Sequence, residues 1–302
     1  MVAISIGKRN FSNWRNYALP SWLRYCKKYN LGLIVITKDL IDVRDPKWKK
    51  PTWQKLLIAE HISSRYSNVN RICYLDTDIL VSPIAENIFD YFREGAINLV
   101  SLINNLPYSR EETLKKLSWF RHFSSAGQYP LDSALFMSPK DLYIYSNLEP
   151  QNDLACAGVI MFEVGRYKSL MRDYFYEIPS NPQTITDGGD QTHLNYLFQK
   201  YCEVNWLPYQ FQSIWSYEAA NYYPNIFLEN NKKYKNACIR DSLTRSSFLH
   251  FAGSWYECML WQNKQILSHK KYNEMLERLP DVNRLPRSGI PIGKIRPKNG
   301  LI

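Results

Sequence analysis

Two carboxylates separated by one residue follow directly on an apolar stretch. Residues 71–75 read Arg-Ile-Cys-Tyr-Leu, a pattern that predicts a buried strand, and Asp76 and Asp78 come at its end. Burying a carboxylate without a partner is costly, and a divalent cation is an efficient partner for two. Strand ends in open α/β sheets face the ligand crevice, where Mg²⁺ or Mn²⁺ shares oxygen ligands with phosphates. The pattern predicts a metal–diphosphate site, although many Asp-x-Asp pairs are helix caps or turns.

The composition is that of a globular protein with a basic surface. The 302 residues suffice for one large domain or two small ones, and 45% of them are hydrophobic. A net charge of +10 favours anionic partners such as a nucleotide, acidic glycan, anionic lipid or nucleic acid. Because Lys and Arg are scattered rather than striped and no nucleic-acid motif is present, we expect no nucleic-acid partner.

Cysteine usage and the N-terminus bear on location. The six cysteines include no Cys-x-x-Cys pair, which argues against structural zinc and favours a reducing cytosol. Residues 1–7 are too short for a signal peptide, and no window of 18 apolar residues predicts a transmembrane helix. We expect a cytoplasmic protein, and any work at a membrane would require peripheral docking.

The order of predicted elements favours an α/β fold. Strands over residues 2–6 and 31–37 enclose a helix over residues 11–29, a βαβ unit that implies a parallel sheet. Residues 104–152 are less regular and are expected to form an insertion facing the acceptor. Helices are predicted over residues 53–66, 84–92, 111–120, 166–177, 192–200 and 264–278, and further strands over residues 98–103, 155–164, 203–207 and 247–251.

A change of character divides the chain into two predicted parts. Residues 1–262 form the main domain, and residues 263–302 form a basic C-terminal helix and extended tail. Residues 264–302 carry nine Lys or Arg against three Asp or Glu. The tail is interpreted either as a solvated charged segment or as a peripheral membrane contact.

Four sequence pieces in a set order resemble the GT-A class of nucleotide-sugar glycosyltransferases. They are the N-terminal strand, Tyr-Leu-Asp-Thr-Asp at 74–78, Ala-Gly-Val at 157–159 with Asp-Gln-Thr-His-Leu-Asn at 190–195, and His-Phe-Ala-Gly at 250–253. The chain is most similar to glycosyltransferase family 8, the glycogenin and bacterial galactosyltransferase type, over roughly residues 1–262. The resemblance implies a Rossmann-like GT-A fold with a mixed, mainly parallel sheet flanked by helices.

The resemblance also implies a metal site and a donor site. Asp76, Asp78 and His250 would bind Mn²⁺ or Mg²⁺, although a His packed at a strand end is the alternative for His250. Lys55 would reach the donor diphosphate or sugar, unless it is an ordinary surface Lys. The implied donor-binding residues are Ser5, Gly7, Lys55, Asp76, Thr77, Ala157, Gly158 and Gly253.

Two residues are implied at the reaction centre. Asp190 would hold hydroxyls of the donor sugar, although Asp is also a preferred helix N-cap. Gln191 would lie opposite the leaving group or line the acceptor site, and Asn195 would brace the same loop. The chain departs from the family pattern at Cys156, where Asn is common, and after Gly253, where the family has a Lys. Phosphate contact would then fall to Lys8, Lys55 or Lys264.

The implied function is a metal-dependent hexosyltransferase. It would move a hexose from a nucleoside-diphosphate sugar, a UDP-sugar by resemblance, to a hydroxyl of a glycan or other acceptor, with retention of configuration. If the enzyme inverts instead, Asp190, Glu257 or Asp153 must act as the general base. The rival interpretation is a non-catalytic nucleotide-sugar or glycan-binding protein on a degenerate transferase scaffold, favoured by the two departures.

Overall fold

The computed structural model describes residues 1–125, 137–182, 189–228, 230–253, 256–268 and 270. Among these residues, strands alternate with helices through most of the chain, as an α/β fold requires. The strands are β1 (Val2–Ile4), β2 (Ile34–Ile36), β3 (Arg71–Leu75), β4 (Ile79–Val81), β5 (Ile97–Leu99), β6 (Val159–Glu163), β7 (Val204–Trp206), β8 (Ser213–Ile214) and β9 (Phe248–His250).

The main sheet has six strands in the order β2-β1-β3-β6-β5-β7. Five of these strands point the same way, and β6 is antiparallel to both of its neighbours. The fold class predicted from the sequence, a mixed and mainly parallel sheet flanked by helices, is confirmed in the described part of the chain. The predicted βαβ unit is also confirmed, since β1 and β2 pair in parallel.

The helices are α1 (Lys8–Asn13), α2 (Leu19–Tyr29), α3 (Ile58–Arg65), α4 (Arg110–Ser125), α5 (Pro139–Tyr145), α6 (Val164–Glu177), α7 (Asp190–Tyr201), α8 (Trp215–Tyr222) and α9 (Lys232–Ser242). A π-helical stretch, Trp14–Ala18, joins α1 to α2. Asn30, with φ of 52°, ends α2 in the left-handed conformation that Asn tolerates well. None of the described helices is long and apolar enough to cross a bilayer.

Alternation along the strands divides the core into two layers. Val2 and Ile4 contact one hydrophobic cluster, whereas Ala3 contacts the other, because successive side chains of a strand point to opposite faces. Trp14 and Trp22 belong to the layer formed with α2, and Ile62 of α3 belongs to the opposite layer. The sheet is therefore covered on both faces, as expected for largely parallel strands.

A second, three-stranded sheet has the order β4-β9-β8. It begins immediately after the main sheet, since the turn at residues 76–78 joins β3 to β4. β4 pairs antiparallel with β9, and β8 pairs parallel with β9. Residues separated widely in sequence are thereby brought against the end of β3.

Some predicted elements differ from the observed ones. The helix predicted over residues 84–92 is wrong, since only a 3-10 turn, Ile88–Tyr91, forms there after a side-chain cap by Asn87. The strand predicted over residues 31–37 shortens to β2. Of the helix predicted over residues 264–278, residues 264–268 form turns and nearly all the rest lies outside the described residues. The extended tail, residues 279–302, also lies outside them.

Candidate metal and donor site

The turn between the two sheets carries both carboxylates of the Asp-x-Asp pair. Asp76 follows β3 and Asp78 precedes β4, so each is held by a strand of a different sheet. The antiparallel register of β4 and β9 places Ile79 opposite His250. The N–H of Phe251 also donates to the Asp78 carbonyl over 3.1 Å. This pairing brings His250 beside two residues that precede it by more than half the chain.

The three predicted ligand residues converge on one point. One ligand atom from each of Asp76, Asp78 and His250 lies within 4.8 Å of the others. His250 Nε2 is 3.2 Å from Asp78 Oδ1 and 3.8 Å from Asp76 Oδ2. Opposite ligands of a six-coordinate ion with bonds near 2.1 Å stand about 4.2 Å apart, so the cluster is close to the size of one coordination shell.

Lys55 contributes a buried cation to the same cluster. It lies in a 3-10 turn, Trp53–Leu57, and is only 3% exposed. Its Nζ is 2.9 Å from Asp190 Oδ2 and 3.1 Å from Asp76 Oδ1, and it donates to the Ala157 carbonyl over 3.0 Å. Burial lowers the pKa of Lys55, but Asp190 and Asp76 outweigh it and raise that pKa above its usual value. Lys55 is therefore a charged partner of two carboxylates.

Tyr74 is a member of the site that the sequence argument missed. Its hydroxyl donates to Asp76 Oδ1 over 2.5 Å. Burial, followed by the adjacent Asp76 charge, raises the pKa of Tyr74 well above its usual value, so it stays a donor. The signal was present in the sequence, because residues two apart on a strand share a face.

The charges of the cluster fit a divalent cation. Three carboxylates (Asp76, Asp78 and Asp190) face one ammonium (Lys55), which leaves two negative charges when His250 is neutral. Without a cation, burial disfavours the charge on His250, but Cys156 and Asp78 outweigh it and raise the pKa of His250 well above its usual value. Burial also disfavours the charge on Asp78, but the resulting imidazolium outweighs it and holds the pKa of Asp78 below its usual range. A cation bound at His250 Nε2 would take the place of that imidazolium proton. Mixed carboxylate oxygen and imidazole nitrogen ligands suit Mn²⁺ or Mg²⁺. The residues present therefore fit the predicted metal.

The other side of the His250 ring is closely packed. His250 Nδ1 is 3.1 Å from Gln212 Nε2 and 3.4 Å from Cys156 Sγ. A Cβ on Gly158 would lie 2.3 Å from His250 Cε1, so the ring occupies space that only glycine leaves open. The Gly158 carbonyl also accepts from the Asp76 N–H over 2.9 Å. Gly158, predicted as donor-binding, thus contacts the metal-ligand residues directly.

A cleft of about 290 Å³ opens beside the cluster. Thr77 and Gly253, both predicted as donor-binding, line it together with the two carboxylates of the Asp-x-Asp pair. Gly253 has φ of 107°, a conformation that strongly favours glycine. Residues that the sequence argument did not single out complete the wall, including Asn10, Asn13, Pro51, Thr52, Met259, Trp261 and Gln262.

The end of β1 borders this cleft without all of its predicted residues lining it. Ile4 and Ile6 line the cleft, whereas Ser5 points into the protein and is 1% exposed. Among the described residues, the Ser5 hydroxyl has no hydrogen-bond partner. Gly7 has φ of 90° and precedes the first turn of α1, so it permits the sharp passage from strand to helix.

Asp190 begins α7 but does not cap it. Gly189 is the N-cap, with φ of 76°, so the N-cap interpretation of Asp190 is wrong. Burial raises the pKa of Asp190, and the Lys55 ammonium opposes that rise. The Gln191 carbonyl accepts from Asn195 Nδ2 over 2.9 Å. Asn195 also pairs with both backbone groups of Ala155.

Asp153 and Glu257 are the other two candidates for a general base, and the structure describes the side chain of Asp153. Asp153 is 4% exposed, and its carboxylate accepts from Ser101 Oγ and the Leu154 N–H over 2.7 and 2.6 Å. It also accepts from Asn104 Nδ2 over 2.7 Å, so its oxygens are engaged in a buried network. The Glu257 side chain lies outside the described part of the chain. Lys8 and Lys264, the other candidates for phosphate contact, are exposed.

Comparison with known proteins returns distant structural likenesses. No protein-family model and no curated protein matches the sequence. A glycosyltransferase involved in glycosylation of the major capsid of PBCV-1 is 9% identical, with a TM-score of 0.47 over 91% of this chain and 98% of that one.

Two further solved structures are of the same kind. The galactosyltransferase LgtC, solved with donor and acceptor sugar analogues, is 11% identical with a TM-score of 0.44, over 92% of this chain and 95% of that one. The bifunctional glycosyltransferase WbbM is 13% identical with a TM-score of 0.49, over 91% of this chain but only 50% of that one. Likeness at this level assigns no activity, which must be argued from the site itself.

Proposed function

We propose that the protein is a metal-dependent GT-A glycosyltransferase of the family 8 type. It transfers a hexose from a nucleoside-diphosphate sugar, a UDP-sugar by resemblance, to a hydroxyl of a glycan or other acceptor. The carrying observation is the convergence of Asp76, Asp78 and His250 within 4.8 Å beside a cleft at the carboxyl ends of β1 and β3. Ligand crevices of open α/β sheets lie at such strand ends.

The residues of the cluster divide the work of binding the donor. Asp76, Asp78 and His250 hold the metal, which neutralises charge on the leaving nucleoside diphosphate when bound. The nucleoside end of the donor lies between β1 and α1, where Asn10 and Asn13 offer amide donors and acceptors. Thr77 and Gly253 line the same cleft as Asp76 and Asp78, so the sugar diphosphate is proposed to pass along them.

Asp190 and Gln191 are proposed to face the donor sugar. Asp190 is 5% exposed, and its carboxylate lies against the Lys55 ammonium. Lys55 Nζ lies 2.9 Å from Asp190 Oδ2 and 3.1 Å from Asp76 Oδ1, so it holds Asp190 beside the proposed metal ligands, and retention is proposed from the family resemblance. Asp153 is unsuited to act as a general base, because its buried oxygens already accept three hydrogen bonds.

The proposed catalytic domain is residues 1–262 at the least. Trp261 and Gln262 line the cleft, so the domain extends to them. Ile266 is fully buried against the same core, so the segment just beyond this boundary also packs on the domain. The basic remainder is proposed as a separate tail.

The rival proposal is a non-catalytic protein that binds a nucleotide sugar. It is favoured by Cys156, which replaces the amide common in the family and contacts His250 instead of facing a sugar. The two proposals differ in turnover but share the metal site. They are separated by an assay that measures donor consumption and donor binding on the same sample.

The test is a donor panel. The protein is incubated with UDP- and GDP-sugars, with Mn²⁺ or with EDTA, and released nucleoside diphosphate is measured. We expect Mn²⁺-dependent release from one donor, abolished by Asp76→Asn or Asp78→Asn. Asp42→Asn, which alters an exposed carboxylate, is the matched control and should retain activity.

Two further measurements are the anomeric configuration of the product and, where no turnover is seen, the Mn²⁺ dependence of donor binding. An α-linked product from an α-linked donor supports retention, and an inverted product would refute it. Donor binding that needs Mn²⁺, without turnover across donors and acceptors, would establish the rival protein. Absence of Mn²⁺ binding would remove both proposals.

A further inference from the structure

A residue that no sequence motif singled out, Gln212, contacts His250 at the ring nitrogen away from Asp76 and Asp78. Gln212 ends a 3-10 turn, Tyr209–Gln212, and β8 begins at the next residue. Because β8 pairs in parallel with β9, Ile214 lies opposite His250 and Gln212 is carried up to its ring. Gln212 is fully buried, and its amide nitrogen is 3.1 Å from His250 Nδ1.

The chemistry of a His ligand decides what Gln212 must supply. His250 presents Nε2 to Asp76 and Asp78, so Nε2 is the nitrogen whose lone pair would meet a metal. In that state Nδ1 carries the ring proton and needs an acceptor. His ligands of metals commonly donate this second N–H to a neighbouring oxygen, which fixes both the tautomer and the ring orientation.

The Gln212 amide can supply that acceptor. Its Oε1 is buried and has no hydrogen-bond partner among the described residues, while its Nε2 faces Nδ1. Rotating the amide by 180° exchanges the two atoms, since amide oxygen and nitrogen occupy nearly equivalent positions. The exchange gives Oε1 the Nδ1–H as its donor and removes a donor–donor contact.

Of the two described polar neighbours of His250 Nδ1, the Gln212 amide is the nearer and the better acceptor. Cys156 Sγ is farther from Nδ1, at 3.4 Å, and a thiol is only a weak acceptor. Gly158 closes the remaining side, since a Cβ there would lie 2.7 Å from both Gln212 Nε2 and His250 Nδ1. The ring and the amide are thus packed edge to edge with no room for water between them.

We infer that Gln212 is a positioning residue for the metal site, accepting a hydrogen bond from His250 Nδ1–H and so directing Nε2 toward Asp76 and Asp78. The inference rests on the proposed metal site and extends it by one residue. It concerns metal binding alone and is independent of the donor, the acceptor and turnover.

The test measures Mn²⁺ affinity in the absence of any sugar donor, by the loss of the free Mn²⁺ signal in electron paramagnetic resonance. Full-length protein and the variants Gln212→Met, Gln212→Glu and Cys156→Ala are compared, with melting temperatures in EDTA. Gln212→Met keeps the volume but removes the acceptor, and we expect Mn²⁺ affinity to fall by roughly 10–100-fold. Gln212→Glu keeps an acceptor, and its affinity should equal or exceed that of the native protein.

The two readouts separate positioning from packing. A buried carboxylate should make Gln212→Glu the less stable variant in EDTA, whereas Gln212→Met should be the weaker metal binder. If Mn²⁺ affinity instead followed melting temperature, or if Gln212→Met bound Mn²⁺ like the native protein, the inference would be overturned. An equal loss in Cys156→Ala would overturn it in favour of the thiol. If the native protein bound no Mn²⁺, the proposed metal site would fall as well.

Discussion

Replacing Lys55 by Met removes the one ammonium that the structure places among the site's described carboxylates. Lys55 Nζ lies within 3.3 Å of both Asp76 and Asp190, and its side chain is buried between them. Met matches the length of the Lys stem, so the change removes charge with little change in volume. The substitution leaves Asp190, which is 5% exposed, as an uncompensated buried charge.

The expected loss of stability is large because Lys55→Met removes the cation and leaves its carboxylate partners in place. Breaking a buried ion pair from one side costs about 3–5 kcal/mol. For a domain of this size, that corresponds to a fall in melting temperature of roughly 6–20 °C. The double variant Lys55→Met/Asp190→Asn removes charge from both sides and should recover part of the loss. Mn²⁺ should raise the melting temperature of Lys55→Met more than that of the native protein, because Asp76 is released from its competing cation.

Thermal denaturation in EDTA and in Mn²⁺ measures each of these effects. Lys8→Met, which alters an exposed Lys, is the matched control and should melt within about 2 °C of the native protein. A melting temperature of Lys55→Met equal to that of the control would refute the view that Lys55 neutralises the two carboxylates. So would a double variant less stable than the single one.

Three further changes test other parts of the structure. Burial lowers the pKa of His193 to about 4, so between pH 6.5 and 4 the unfolded state binds more protons than the folded state. The free energy of unfolding should therefore fall by up to about 3 kcal/mol as the pH falls through that window. The fall should be smaller in His193→Phe. Gly158→Ala drives a Cβ into the His250 ring and should cost about 1–3 kcal/mol of stability and most Mn²⁺ affinity. Asn195→Leu strands the N–H and C=O of Ala155 and should cost about 2–6 kcal/mol in denaturant titrations.

Each of these has a control or a contradicting outcome. Gly165→Ala, where an added Cβ meets nothing within 4 Å, should leave Mn²⁺ affinity unchanged. Asn16→Leu loses a contact to Ser12 on a partly buried helix surface and should cost under about 1 kcal/mol. A pH slope in His193→Phe equal to that of the native protein would contradict the assignment to His193.

Elements were predicted correctly from the sequence where hydrophobic periodicity and local residue chemistry indicate the same structure. The predicted strand over residues 71–75 is β3 residue for residue, because an unbroken apolar run is typical of a strand covered on both faces. The helix predicted over residues 53–66 and the helix over 166–177 also form, the first with a 3-10 opening turn. Asp76 and Asp78 could be predicted to share one site because a single residue separates them.

The sequence was insufficient where pairing between distant strands decides the outcome. β4 and β8 are three and two residues long, too short to give a periodic signal, yet their register against β9 positions His250. Gln212 was missed for that reason. Lys55 was expected to face the donor, which stays a prediction, and only the fold reveals that its ammonium also lies between Asp76 and Asp190.

The strand connections imply that the geometry of the three proposed metal ligands exists before any metal binds. Asp76 is fixed at the end of β3 by the Gly158 carbonyl, and Asp78 is fixed at the start of β4 by the N–H of Phe251. His250 lies between two paired strands, with its ring wedged against Gly158. Little conformational freedom then remains to be lost on binding, so most of the attraction between ligands and metal is retained as affinity. Substitutions that shift the β4–β9 register should therefore weaken metal binding even when all three ligands are intact.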